Sequence, residues 1–134
     1  MISEQDYEEL LLPIDIEWSK KHQPYGIHYC GRDPHRHAAQ FAQIEQLAFL
    51  DLGWGGDVKT LREALPETFF SLRLNPVEIN DYSSEELLKI ITSRVAASGD
   101  LYRTGICCVN MDGNVRDARV KEIYRIAENI RVQK

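Results

Sequence analysis

The chain has 134 residues, 43% hydrophobic and 28% charged, with a formal net charge of -5. That suffices for one packed core and falls short of two ordinary domains, so residues 1–134 read as a single domain. Negative charge without a Lys/Arg block argues against a nucleic-acid surface, and no run approaches the roughly 18 apolar residues of a membrane span. The opening Met1-Ile2-Ser3-Glu4-Gln5-Asp6 is acidic where a secretory signal is basic and then apolar, which sets the expectation of a cytoplasmic protein. Three cysteines, an odd count without disulfide-framework spacing, favour thiols or metal ligands over bridges.

Ser3 is the expected N-cap of a first helix whose apolar positions Tyr7, Leu10, Leu11, Ile14 and Trp18 recur at helical spacing, with Pro13 kinking or splitting it. Tyr25 to Tyr29 reads as a strand, Gly31 breaks it, and Asp33-Pro34 opens a short helix to about Glu45. Leu47-Ala48-Phe49-Leu50 is a continuous apolar run, the pattern of a parallel strand covered on both faces, and it ends at Asp51. Gly53-Trp54-Gly55-Gly56 lacks the third glycine of a dinucleotide fingerprint and reads as a tight turn. A helix over about Val58 to Ala64 follows, then a strand from Phe69 to Leu74 closed by Asn75-Pro76. Ser83-Ser84-Glu85-Glu86 opens a helix with Leu87, Leu88, Ile91 and Val95 as its buried stripe, ended by Gly99-Asp100. The last strand is Thr104 to Val109 and the last helix about Arg116 to Ile130.

After the initial helix, then, come four consecutive strand-helix units. This is an α/β pattern with parallel strands, either a small open sheet or half of a TIM barrel, whose full form takes about 250 residues. In both architectures Cys30, Asp51, Asn75 and Cys108 fall at carboxyl ends of strands, the face on which parallel α/β folds place their sites.

Within that frame His28 and Cys30 stand out. Alternate strand residues point to one side, so these two can converge while Tyr29 faces away, and a thiol from Cys107 or Cys108 would complete a three-ligand zinc site with one open position. The competing reading is a hydrogen-bonded core histidine with three small buried cysteines. Asp51 either orients a ligand histidine, contacts substrate or caps the next helix, and Arg73 either lines a polar lumen or pairs with an acid. His35 and His37, flanking Arg36, read as solvated helix residues.

Gly26-Ile27-His28-Tyr29-Cys30-Gly31, the strand ending in Asp51, Arg73-Leu74-Asn75-Pro76 and Gly105-Ile106-Cys107-Cys108 together resemble the carboxyl-terminal half of the uroporphyrinogen decarboxylase superfamily. The nearer branch is its zinc-dependent, corrinoid-linked methyltransferases. The opening Tyr7-Glu8-Glu9-Leu10-Leu11-Leu12-Pro13 is similar to the family helix preceding the fifth barrel strand. The resemblance implies zinc held by His28, Cys30 and one of Cys107 or Cys108. Cys108 is favoured because it lies nearer the strand end and lines up better with the family pattern. Asp51, Arg73 and Asn75 are the expected substrate-side residues. The implied chemistry is activation of a small-molecule thiol for attack on a methyl group carried by a corrinoid on a partner protein. After the cysteines the family's proline-containing loop is replaced by Val109-Asn110-Met111-Asp112-Gly113-Asn114-Val115. Half a barrel leaves two open sheet edges, so an amino-terminal half or a homodimer is expected, with a non-catalytic partner module or truncated remnant as the alternative function.

Overall fold

The computed structural model describes residues 2–132. Among them no helix is long and apolar enough to cross a membrane. Four strands, β1 (Tyr25–His28), β2 (Leu47–Leu52), β3 (Phe69–Leu74) and β4 (Thr104–Cys108), pair all in parallel in the order β1-β2-β3-β4. Helices alternate with them: α3 (Ala38–Phe41), reached through a 3-10 turn over Pro34–His37, then α4 (Val58–Ala64), α5 (Pro76–Asp81) with α6 (Ser84–Ser98), and α7 (Asp117–Val132). Before β1, α1 (Glu4–Asp6), a π segment (Tyr7–Leu11) and α2 (Leu12–Lys21) run end to end.

Local chemistry explains the element ends. Ser3 Oγ accepts from the Asp6 amide and caps α1. Ser83 and Glu86 form a reciprocal capping box on α6, and Gly99 closes that helix at φ +69°, in the left-handed region that glycine enters without a Cβ penalty. Helical structure runs on through Pro13, which lies in the first turn of α2. The π segment immediately before it widens the turn in which proline lacks an N–H and would crowd the carbonyl four residues back. Helix α3 stops at Phe41, short of the expected Glu45, and α5 is an element that sequence reading passed over.

Sheet register sorts the side chains into two faces. Ile27 lies level with Leu50, Leu50 with Phe70, Leu52 with Leu72, and Leu74 with Cys108. Leu50, Leu52, Phe70, Leu72 and Leu74 are all at most 3% exposed and share one buried cluster with Leu61 of α4, Leu87 and Ile91 of α6 and Ile123 of α7. The opposite face carries Gly26, His28, Phe49, Asp51, Phe69, Ser71, Arg73, Gly105 and Cys107, by the alternation of the same strands. There Phe49 and Phe69 stack nearly coplanar (5.9 Å between centroids, 8° between planes), and Phe49 remains 40% exposed. Burial of the Leu47–Leu50 run on both faces, expected from its composition, is therefore not what the fold provides: the helices cover one face only.

Arg62 ties the amino-terminal end of the sheet together. From the last turn of α4 its guanidinium donates five hydrogen bonds to backbone carbonyls, those of Leu65, Pro66, Thr68, Ser98 and Arg103, at 2.8–3.1 Å, and it lies 3.9 Å over the Phe70 ring. These carbonyls belong to the α4 exit, the approach to β3, the end of α6 and the approach to β4. Arg62→Ala leaves several half-buried acceptors unpaired. It should lower the unfolding free energy by about 3 kcal/mol, and Arg62→Lys, which cannot span the set, by about 2. Urea unfolding monitored by circular dichroism gives both values, and a loss under about 1 kcal/mol in the alanine variant contradicts the clamp.

Candidate functional site

At the carboxyl end of β1 and β2, His28 and Asp51 are direct register partners. The His28 ring is held between them: Nδ1 lies 2.7 Å from Asp51 Oδ2, and Nε2 lies 2.8 Å from Cys30 Sγ. Two partners meet His28 Nδ1: the Asp51 carboxylate, which accepts from a protonated nitrogen, and Arg73 Nη2, which donates to an unprotonated one. Arg73 enters from β3, two residues beyond Ser71, the register partner of Asp51. Its Nε and Nη2 donate to the two Asp51 oxygens at 3.0 and 2.7 Å, and Nη2 also lies 2.9 Å from His28 Nε2. Arg73 is 6% exposed and Asp51 half-buried, so the Arg73–Asp51 fork is a partly buried ion pair.

Burial pushes the Asp51 carboxyl up, but the hydrogen bonds from Arg73 and His28 outweigh it and hold the group below the usual carboxylate range. Arg73 is in turn raised, first by its hydrogen bond to Asp51, against burial, with a smaller contribution from Cys30. A second, unforeseen pair stands behind this one. Arg94 of α6 forks onto Glu78 at 2.9 and 2.7 Å and donates to the Arg73 carbonyl at 3.2 Å, while Glu78 accepts from the Asn75 amide at 2.9 Å. The end of β3, and with it Arg73, is fastened to α5 and α6.

Of the residues singled out from sequence, four meet here: His28, Cys30, Asp51 and Arg73. Asp51 does not cap α4. That position is taken by Asp57, which accepts from the Thr60 amide. Asn75 stands at the end of β3, but its side chain caps α5, accepting from the Val77 amide at 3.0 Å. Cys107 is level with Arg73 on the same face, whereas Cys108 is level with Leu74 and packs against the core, where burial raises its thiol pKa. The cysteine favoured from strand position thus faces the helix layer, and its neighbour shares the sheet face of Arg73. His37 is not solvated. It is 1% exposed among the rings of Tyr7, Tyr29 and Phe41, neither ring nitrogen has a partner among the described residues, and burial lowers its pKa. The 3-10 turn after Pro34 points it inward against the first helix, where a regular helix starting at Pro34 was expected.

As a donor set these residues suit zinc. An imidazole nitrogen and a thiol sulfur face each other, and a carboxylate holds the other ring nitrogen, the arrangement that orients metal-bound histidines. As arranged, however, the donors close on one another. Two ligands of one tetrahedral zinc sit about 3.5 Å apart, more than the 2.8 Å between Nε2 and Sγ. Among the described residues no group of three or more His, Cys, Asp or Glu side chains is placed to hold a metal ion.

The loops beside the site are in backbone contact. A Cβ on Gly53 would fall 1.6 Å from the Gly31 carbonyl oxygen, so position 53 admits glycine alone.

Removing Arg73 exposes the balance around Asp51. A depressed carboxyl contributes stability above its unfolded pKa of about 4 and loses it as pH falls through the folded value. In Arg73→Ala burial is opposed by His28 alone, so the loss should be about 3 kcal/mol at pH 7 and shrink steadily below about pH 4. Urea midpoints across pH 3–8 read this, and a pH-independent difference contradicts it. No protein-family model matches the chain, and no curated protein matches it.

Proposed function

We propose that the chain is the carboxyl-terminal half of a uroporphyrinogen decarboxylase-like barrel and that His28, Cys30 and Cys107 are the zinc-binding side of a thiol-activating site. The reaction is transfer of a methyl group from a methylated corrinoid, held by a partner protein, to a small-molecule thiol. The observation that carries this reading is the convergence of His28 Nε2 and Cys30 Sγ, with Asp51 beside Nδ1, on the uncovered face of a sheet wound in one direction.

The chain's own residues have distinct parts in this. Asp51 keeps the His28 proton on Nδ1, so that Nε2 is a donor to a metal and not to the thiol. Arg73 keeps Asp51 ionised and brings positive charge to the place where a substrate thiol becomes a thiolate. Cys107 is the third donor of this reading because it shares the face of Arg73, while Cys108 is engaged with the core. When bound, zinc supplies the Lewis acidity that lets a substrate thiol ionise at neutral pH. Asn75 contributes through its backbone position, since its side chain caps α5.

The alternative, a non-catalytic module, makes an opposite forecast for metal content. Chain purified in the presence of zinc should carry about one ion per molecule by elemental analysis. Cys30→Ala and Cys107→Ala should lower affinity more than about 100-fold, Asp51→Asn about 10–100-fold, and Cys108→Ala little. Absence of stoichiometric zinc from the unsubstituted chain sinks the metal reading and leaves the module. Retention in Cys107→Ala with loss in Cys108→Ala would return the third ligand to Cys108.

A further inference from the structure

A cavity of about 360 Å³ lies between the helical run that precedes β1 and the edge of β1 itself. Four aromatic residues line it: Tyr7 from the run, Tyr25 from β1, Tyr29 just past its end, and Phe41 from α3. His37 and Asp15 line it as well, and both meet Tyr7. The His37 ring stands 5.1 Å from the Tyr7 ring, and the Tyr7 hydroxyl donates to Asp15 Oδ2 at 2.6 Å.

The chemistry of this lining is one-sided. His37 is 1% exposed, and neither of its ring nitrogens has a partner among the described residues. Burial first, then the charge of Arg36, lowers its pKa against the opposite pull of Glu4 and Asp33, so the ring is neutral and offers one lone pair and one N–H. A polar group left unmet at that depth costs about 1–3 kcal/mol, which a ligand supplying the missing bond offsets. Asp15 is the one carboxylate among the described residues lining the cavity, and no lysine or arginine is among them. Its oxygens accept from Tyr7 and Tyr25 at 2.6 Å each. Both tyrosines stay neutral: burial first, then the bond to Asp15, pushes Tyr25 up to about 12 and Tyr7 higher still. Arg36 is turned to Glu4 and Asp33, at 3.4 and 3.3 Å, and His28, the other histidine at the cavity, is engaged by Asp51, Arg73 and Cys30.

From the aromatic walls, the single carboxylate and the unpartnered imidazole, we infer that this cavity binds a small organic ammonium ion carried on an apolar body. Aromatic faces attract a cation. The ammonium N–H groups donate to Asp15 and to the His37 lone pair, and the body lies among Leu11, Ile27 and Phe41. An anionic ligand would meet Asp15 with like charge, and a wholly apolar one would leave His37 unmet. The volume falls at the small end of ligand cavities. Neither Cys30 nor Asp51 lines the cavity, so the inference stands apart from the zinc reading.

The probe is phenethylammonium, with phenethyl alcohol as its neutral isostere and phenylacetate as an anion of similar shape, each titrated into the full chain at neutral pH by calorimetry and NMR. The ammonium ion should bind one to one with a Kd of about 1 mM or tighter and move the His37 ring resonances. The alcohol should bind roughly tenfold more weakly, and phenylacetate more weakly again. Asp15→Asn, checked as folded by circular dichroism, should bring the ammonium ion down to the level of the alcohol. His37→Phe, which keeps a ring in the wall, should weaken it by about tenfold. Failure of the ammonium ion to bind, equal binding of ion and alcohol, saturation that leaves the His37 resonances unmoved, or undiminished binding in either folded variant overturns the assignment. If neither variant folds, the charge preference and the His37 resonances of the unsubstituted chain decide it.

Discussion

Each strand of this sheet is laid beside its predecessor on the same side, and that constraint governs everything else in the molecule. Connections between parallel strands are right-handed, so a sheet that grows in one direction sends every connecting helix to one face. Doubly wound sheets reverse direction once and so cover both faces. This one never reverses. Its second face receives no helix from these connections, and a sheet wound in this sense closes that face on itself only with more strands than four. The exposed Phe49 and, among the described residues, the two unpaired edges follow from that winding.

The uncovered face is graded along the strands. Toward its amino-terminal end it is aromatic, with the Phe49–Phe69 stack lying where Gly26 and Gly105 leave room: an added Cβ would stand 3.3 Å from Phe49 and 3.0 Å from Phe69. Toward the carboxyl end it becomes ionic, with Asp51 and Arg73 neutralising each other under an imidazole and a thiol. A buried ion pair is weak evidence for stability, because desolvation offsets most of the attraction. Its presence against a histidine ring that also meets a thiol points to positioning as the reason for its cost.

Much of the frame was legible because it rests on local chemistry. The Ser83–Glu86 box, Gly99 at the end of α6 and the boundaries of α4 and β3 are written within a few residues of where they act. Helix α5 was legible too, since Asn75, Pro76 and Glu78 supply a cap, a proline start and a capping-box partner, but their place at a strand end drew attention to substrate contacts. The site was half legible. Spacing brought His28 to Cys30, but register, which depends on pairing with other strands, decided that Cys107 and not Cys108 shares the face of Arg73. His37 and the Glu78–Arg94 pair were hidden because their partners lie on distant elements, and no periodicity records a long-range contact. The helical spacing of Tyr7, Leu10, Leu11, Ile14 and Trp18 was legible, but not that Tyr7 alone of them is buried, since hydrophobic spacing says that a face wants cover and not which element supplies it.

The meeting of Gly53 with the Gly31 carbonyl has a mechanical consequence. Cys30 sits on a segment braced from the next crossover by main chain alone, with no side-chain cushion between them. Any residue larger than hydrogen at 53 would shove that carbonyl and tilt the sulfur one position upstream. The thiol's aim is therefore set by a glycine that never touches it, and drift at that glycine would move the sulfur without altering its chemistry.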